Sequence, residues 1–339
     1  MDPRSQRRLG KSGLSVSILG LGGAPLGDFY ARLPEDEALA TVAAAHSSGL
    51  RLFDTAPLYG MGLSEHRFGH VLRRLPHDFV LCTKVGRHMV PERPELVDHD
   101  WFKGGLNMRP VTDYSYDGTM RAIDQSFQRL GLERIDVLHI HDVDIWTHGS
   151  REAYEQRFRE AMEGAYPVLH KLREQGVISA IGVGVNETEP LLRFAAAGDF
   201  DCFMLAGRYT LLEHTALDDL LPLCVQKGIG ILTAGPYNSG ILATGAVPGA
   251  KYNYRDAPAE IMDRVAKIEA VCRRHDVPLP AAALQFPLGH PSVAAMVPGA
   301  VKPSEVERNI ALMSHPIPAD LWAELKHEKL LPGHAPTPG

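Results

Sequence analysis

The strongest constraint on how this chain can fold is an alternation. Eight short apolar runs occur in order: residues 17–23 (SILGLGG), 51–56 (RLFDTA), 79–86 (FVLCTKVG), 135–141 (IDVLHIH), 177–185 (VISAIGVGV), 201–207 (DCFMLAG), 228–234 (GIGILTA) and 293–299 (VAAMVPG). Several are apolar on successive residues rather than on every second one, the signature of a strand covered on both faces, so parallel strands fit best. Between them lie segments such as EDEALATVAAAHSSG, GTMRAIDQSFQRLG and HTALDDLLPLCVQKG, several with apolar residues at helical spacing. Four of these segments stop at a glycine (Gly49, Gly131, Gly176, Gly228), the residue that most easily takes the left-handed turn after a helix. Right-handed strand–helix–strand units repeated this often can close on themselves, so the chain is predicted to be α/β, a single (β/α)8 TIM barrel over 1–339. An open doubly wound sheet is the alternative that pattern alone allows.

Three segments fall outside the repeat. Residues 6–16 read as an N-terminal hairpin turning at Lys11, Ser12 and Gly13, placed to plug one barrel end. Residues 87–116, with Pro91, Pro94, Gly104, Gly105 and Pro110 and little periodicity, read as a long lid or substrate loop at the C-terminal face. The end, 331–339 (LPGHAPTPG), reads as a flexible tail.

Composition narrows the partners. With 35 Lys and Arg against 41 Asp and Glu and no basic block, the chain lacks the positive stripe a nucleic-acid backbone requires, so no nucleic acid is expected. No run approaches the roughly 18 apolar residues a bilayer span needs, so no membrane partner is expected either. Cys82, Cys202, Cys224 and Cys272 form no CxxC pair and mostly sit in apolar runs; they read as reduced core thiols of a cytoplasmic protein. No feature of the chain sets an oligomeric state.

In a barrel the chemistry gathers at the C-terminal ends of the strands. Asp54 ends the second run, Lys84 the third and His141 the fourth, and Tyr59 follows Asp54 in a turn marked by Pro57 and Gly60. A free phenol titrates near about 10, and a cation within about 4 to 6 Å favours the phenolate. Lys84 can supply that charge, Asp54 can keep the ammonium protonated and fixed, and His141 can orient a substrate oxygen beside the Tyr59 hydroxyl. Together they suit proton transfer at a carbonyl or hydroxyl oxygen. His139 and His141 lie on one face of a strand, which also raises a metal-dependent hydrolase. The later runs end at Gly184, Gly207, Ala234 and Gly299, which offer no further ligands, so no metal is predicted.

FDTAPLYG, CTKVG and IDVLHIHD, in that order, resemble the aldo-keto reductase superfamily, as do LGLGGAPLG, IGVGVNE, AGPYNSGIL and VPGAVKPSEVERNI. The resemblance implies an NAD(P)-dependent oxidoreductase with catalytic Asp54, Tyr59, Lys84 and His141, Tyr59 being the general acid/base. It implies cofactor contacts at Gly23, Asp54, Asn186, Gly235, Pro236, Ser239, Gly240, Pro298, Gly299, Glu305 and Asn309. Asn186 is the candidate for the carboxamide, offset by one residue from a common Ser-Asn pair whose Ser is replaced by Gly184. Ala234 stands where many relatives stack an aromatic ring, with Tyr237 nearby. Glu305 stands where relatives that favour NADP carry Arg; a carboxylate would repel a 2′-phosphate and accept from a free 2′-hydroxyl, so NAD is expected, with Lys302 leaving NADP possible. Within the superfamily, LGGAPLG, AGRYTLL and GPYNSGIL are most similar to bacterial D-threo-aldose 1-dehydrogenases and L-fucose dehydrogenases, with pyridoxal 4-dehydrogenase in the same neighbourhood. That implies a small-molecule substrate: the C1 hydroxyl of an aldose such as L-fucose, oxidised to a lactone. Trp101, Asn107, Tyr116, Arg208 and Tyr252 are candidates to read sugar hydroxyls. A pyridoxal dehydrogenase or aldehyde reductase, and a non-catalytic cofactor-binding regulatory subunit, remain the alternatives.

Overall fold

Strand after strand, the side chains alternate between two environments, and this alternation builds the molecule. In the computed structural model, which describes residues 1–339, eight parallel strands form one sheet. They are β1 (Leu21–Gly22), β2 (Leu52–Asp54), β3 (Val80–Val85), β4 (Val137–His141), β5 (Ala180–Val185), β6 (Cys202–Ala206), β7 (Gly230–Ala234) and β8 (Val293–Val297). Their order in the sheet is their order in the chain. The edges meet through parallel bridges Leu19–Met296 and Gly22–Gly299, where the Gly20 and Gly22 amides each donate at 2.9 Å to the carbonyls of Met296 and Pro298. The sheet is therefore a closed barrel, not an open doubly wound one.

Leu52, Val80, Cys82, Val137, Ala180, Cys202, Met204, Leu232 and Ala295 form the barrel interior, while Phe53, Leu81, Leu138, Ile181, Phe203 and Met296 belong to the larger core under the helices. With a side-chain period of two, an inward Leu52 makes Asp54 inward, Val80 makes Lys84 inward, and Val137 makes His139 and His141 inward. The interior is apolar at the bottom and ionisable at the top.

Helices follow the strands in turn: Glu35–Ser47, Leu63–Leu72, Tyr116–Leu130, a long element from Arg151 to Glu174 with a π turn at Ala161–Ala165, Thr188–Ala197, Leu220–Lys227 and Ala259–Arg274. Gly49, Gly131, Gly176 and Gly228 all have positive φ at the helix ends where the sequence placed them. Leu279–Gln285, Pro303–Ser314 and Ala319–His327 are further helices that periodicity did not single out. Pro303–Ser314 begins with Pro at its first position, and Glu305 Oε2 accepts from the Val301 amide at 2.9 Å.

The N-terminal segment forms its hairpin, Gln6–Arg8 against Ser15–Ser17, and its buried Leu9 and Val16 join the interior cluster, sealing the barrel floor. Residues 87–116 differ from a plain loop. Arg87–Pro91 pairs antiparallel with Met108–Thr112, so the two ends of this segment form a two-stranded ladder whose pairing satisfies backbone groups that Pro and Gly made look irregular. Of 331–339, expected to be a loose tail, Leu331 and Ala335 are buried and Pro336 and Thr337 lie against Gly289, so apolar contact seats part of this segment. All four cysteines are buried free thiols, and no helix is long and apolar enough to cross a membrane.

Candidate active site

Three strand ends and one turn bring the four ionisable groups together. Asp54, Lys84 and His141 occupy inward positions of β2, β3 and β4. Tyr59 comes from the turn after β2, whose backbone is pinned by the Tyr59 amide on the Ala56 carbonyl at 3.1 Å and by Gly27. A Cβ on Gly27 would lie 2.5 Å from both the Tyr59 carbonyl carbon and the Gly60 nitrogen, so only glycine permits this approach.

The Lys84 ammonium is almost fully enclosed, and its three protons are all accepted: by Asp54 Oδ1, Asp54 Oδ2 and the Thr55 carbonyl, each at 2.8 Å. It also sits 4.7 Å from the centre of the Tyr59 ring. The Tyr59 and His141 rings meet edge to face at 5.9 Å. Burial alone would lower the Lys84 pKa, but Asp54 and Tyr59 outweigh it and hold the ammonium above the lysine range. Burial lifts the Asp54 carboxyl above its usual value against the pull of Lys84. His141 is held well below the imidazole range, first by burial and then by Lys84 and Arg87, and is neutral at neutral pH. Tyr59 departs from the sequence expectation. Burial pushes its pKa up to about 12; Lys84 pulls it down, but Asp54 pushes it up again, so the phenol is not acidified in this state. A cation already neutralised by its own carboxylate exerts only the remainder of its field.

These groups stand in a cavity of about 980 Å³ at the C-terminal mouth. Gly23, Asn186, Gly235, Pro236, Ser239, Gly240 and Gly299, all expected at a cofactor, line it, whereas Pro298, Glu305 and Asn309 do not. The Glu305 carboxylate is turned back onto the Val301 amide, and Asn309 is buried and accepts from the Tyr237 hydroxyl at 2.7 Å. Trp101 and Arg208 line the cavity; Asn107, Tyr116 and Tyr252 do not, and the Tyr252 hydroxyl is spent on Glu213. His139 lies a layer deeper, fully buried beside Cys202 Sγ at 3.6 Å.

Several lining residues escaped the sequence reading. The hairpin Lys251–Tyr252 and Arg255–Asp256 turns at Asn253 and Tyr254, both at positive φ, and carries Tyr254 over the mouth. The Tyr254 ring stacks on Trp101 of the 87–116 segment at 4.9 Å, its hydroxyl donates to Asn186 Oδ1 at 3.5 Å, and its amide donates to Ser239 Oγ at 2.9 Å. Asn253 was the available signal, since Asn is favoured at the left-handed positions of tight hairpins. Arg87 and Asp142 also line the cavity as a nearly buried ion pair at 2.9 Å.

The residues present fit a dinucleotide. Gly184, Ala206, Gly207, Ala234 and Gly235 make a side-chain-poor floor; a Cβ on Gly184 would occupy the space 3.7 Å from Lys84 Cε and Met204 Cβ. Beyond it, Asn238, Ser239 and Gly240 take successive positive φ values of 45°, 62° and 110°, a tight turn held by the Asn238 and Gly240 amides on the Gly235 and Tyr237 carbonyls at 3.0 and 2.9 Å, which brings Ser239 and Gly240 to the cavity wall with little side-chain bulk.

The model of the aldo/keto reductase family matches residues 18–328. The chain belongs to that family, and is an oxidoreductase of it. It is 41% identical to a pyridoxal 4-dehydrogenase of Microbacterium luteolum over 96% of this chain and 98% of that one. It is also 41% identical to a D-threo-aldose 1-dehydrogenase of a Pseudomonas species, over 95% and 96% of the two chains. A solved aldo-keto reductase from Bacillus halodurans, in its holo form, superposes with a TM-score of 0.74 at 25% identity, covering 96% of each chain. This member of the aldo/keto reductase family thus carries Asp54, Lys84 and His141 at three adjacent strand ends of its barrel and Tyr59 in the turn after the first of them.

Proposed function

We propose that this aldo/keto reductase oxidises the C1 hydroxyl of an aldose in its ring form, L-fucose or a D-threo-aldose, to the lactone, with NAD as cofactor. The observation that carries the reading is the Lys84 ammonium held by Asp54 and placed against the Tyr59 ring, with a neutral His141 across from it. The chemistry a bound nicotinamide supplies is hydride exchange with the carbon. Tyr59 moves the proton at the attached oxygen, taking it during oxidation and giving it during reduction. Lys84 biases the phenol toward the charged form, Asp54 keeps Lys84 protonated and immobile, and neutral His141 hydrogen-bonds and orients the substrate oxygen. Asn186, the Gly235–Gly240 turn and Gly299 are the residues that would hold the cofactor. The apolar rings of Phe29, Trp101, Phe102 and Trp146 wall the substrate side and exclude water.

The similarity to a pyridoxal 4-dehydrogenase supports a second substrate, since pyridoxal in its cyclic form also offers a hydroxyl on an oxidisable ring carbon. The test is direct: purified protein with NAD and a set of free sugars and pyridoxal, followed by absorbance of reduced cofactor and by lactone analysis. An aldose is expected to turn over with the highest kcat/KM. Turnover of pyridoxal alone rejects the sugar reading, and turnover of none favours a non-catalytic cofactor-binding subunit.

Two further outcomes are expected. Because the phenol holds its proton well above neutrality, kcat/KM for oxidation should rise about tenfold per pH unit below the apparent pKa of Tyr59, while carbonyl reduction stays level over the same range. A level oxidation profile between about pH 6 and 9 would assign the proton to another group. For the cofactor, Glu305→Arg should move the NAD to NADP ratio of kcat/KM toward NADP by about tenfold or more, because it replaces a carboxylate by a phosphate-pairing guanidinium beside the exposed Lys302. An unchanged ratio would place residue 305 outside the adenosine site.

A further inference from the structure

Beside the four catalytic groups, the cavity wall contains a second charged unit that itself exchanges no proton with the substrate in the mechanism above. Asp142 directly follows His141 and sits in the left-handed region at φ 55°, which Asp takes more readily than most L residues but which is uncommon outside glycine. Its support is visible. The Asp142 amide donates to the Gly184 carbonyl at 2.9 Å, and the buried Tyr114 hydroxyl donates to the His141 carbonyl at 2.7 Å. The turn reverses the chain at the end of β4, so that the Asp142 carboxylate lines the mouth instead of pointing away from it.

The Asp142 carboxylate has two differently placed oxygens. Oδ2 accepts from the Arg87 guanidinium at 2.9 Å, with both side chains largely enclosed, at 13% and 9% exposure. Arg87 is positioned by a second unusual residue: Gly86 has φ 103°, and a Cβ there would fall 2.2 Å from the Tyr114 ring, so Tyr114 braces both members of the pair. Oδ1 takes no hydrogen bond from the protein and lies 3.4 Å from His141 Nε2, the imidazole nitrogen nearest the pair. A carboxylate oxygen without a protein donor, fixed by the Arg87 contact of its partner oxygen and largely enclosed, therefore stands next to the group that orients the reacting oxygen. A hydroxyl on the carbon adjacent to the reacting carbon would reach it, while the apolar rings of Trp101 and Phe102 take the carbon face.

We propose that Asp142, held by Arg87, is a specificity-determining acceptor for a substrate hydroxyl vicinal to the carbon being oxidised, so that the site selects 1,2-dihydroxy compounds such as aldoses over their 2-deoxy counterparts. This rests on the dehydrogenase reading above and names the substrate feature it selects. Selection is by rejection as much as by attraction. A substrate lacking the hydroxyl still displaces water from Oδ1 and leaves a buried carboxylate oxygen unpaired, which costs more than the hydrogen bond gains.

The experiment compares kcat/KM with NAD for L-fucose and 2-deoxy-L-fucose, and for D-galactose and 2-deoxy-D-galactose, in the wild-type protein and in Asp142→Asn. Removing the 2-hydroxyl is expected to lower wild-type kcat/KM by about 10- to 100-fold, the range for a hydrogen bond to a charged group. In Asp142→Asn the parent sugar should lose a similar factor and the parent-to-deoxy ratio should fall to within about threefold. A merely structural role for Asp142 would slow both sugars alike and leave the ratio intact, which would overturn the proposal. The wild-type comparison requires no variant. If Asp142→Asn leaves Arg87 too poorly paired to fold, Arg87→Gln with Asp142→Asn removes both charges and reads the same ratio. Equal wild-type rates on parent and deoxy sugars would overturn the vicinal acceptor and leave the dehydrogenase standing. No turnover of any sugar would overturn both.

Discussion

Tyr59→Phe should reduce turnover by about a thousandfold or more in either direction while leaving cofactor affinity within about twofold of wild type. The substitution removes one oxygen and keeps the ring. The phenyl still fills the space over Lys84, whose nitrogen stands 4.7 Å from the ring centre, and still meets the His141 edge at 5.9 Å. Neither the cavity walls nor the Lys84–Asp54 pair depends on the hydroxyl, because all three ammonium protons are already accepted by Asp54 and Thr55. On the proposed mechanism, what disappears is the group that exchanges a proton with the substrate oxygen while His141 orients it. His141 is too weak a base to take over, since burial and the neighbouring cations hold it neutral and poorly basic. Steady-state kinetics measures the first effect, and titration of protein fluorescence with NAD measures the second. Retention of a tenth of the wild-type kcat would show that another group carries the proton.

How much of this could be read beforehand depends on the range of the interaction involved. The eight strands and the glycine stops are local in origin. An apolar run between Gly-punctuated amphipathic segments has few ways to satisfy both its backbone and its side chains, and the barrel satisfies them all. The inward positions of Asp54, Lys84 and His141 then follow from counting by two along strands whose lower residues are apolar. Arg87, Asp142 and Tyr254 were not legible because their placement depends on contacts distant in sequence: Tyr114 under Gly86, the Gly184 carbonyl under Asp142, and Trp101 against the turn at Tyr254. Nor was the partner of Asn309 legible: its Oδ1 accepts from the Tyr237 hydroxyl at 2.7 Å, 72 residues away in the chain. The Tyr59 expectation failed on a question of magnitude. Residue types give the sign of each neighbour's influence, but only burial decides whether the sum is upward.

Lys84→Met should be the most damaging single change, affecting stability and activity together. It leaves the Asp54 carboxylate, 4% exposed at its side chain, without its only cation, and breaking one side of a buried pair costs about 3 to 5 kcal/mol. Burial already raises the Asp54 pKa; without Lys84 opposing it, the rise is larger, and the folded protein binds the proton that the unfolded chain releases near about pH 4. Above that value the folded state is the one that binds more protons, so the stability of the variant should fall as pH rises toward the raised Asp54 pKa and recover on acidification. Thermal unfolding at several pH values between about 5 and 8 measures this slope against wild type. Asp54→Leu combined with Lys84→Met removes the stranded charge and should recover most of the lost stability and level the pH slope, because a matched apolar pair avoids the desolvation cost. It should not recover activity, since the Tyr59 phenol then has burial acting on it with no cation to offset it, and oxidation loses its proton acceptor. Recovery of turnover in the double variant would refute any role for the ammonium beyond folding, whereas stable but inactive protein separates the two roles of one side chain.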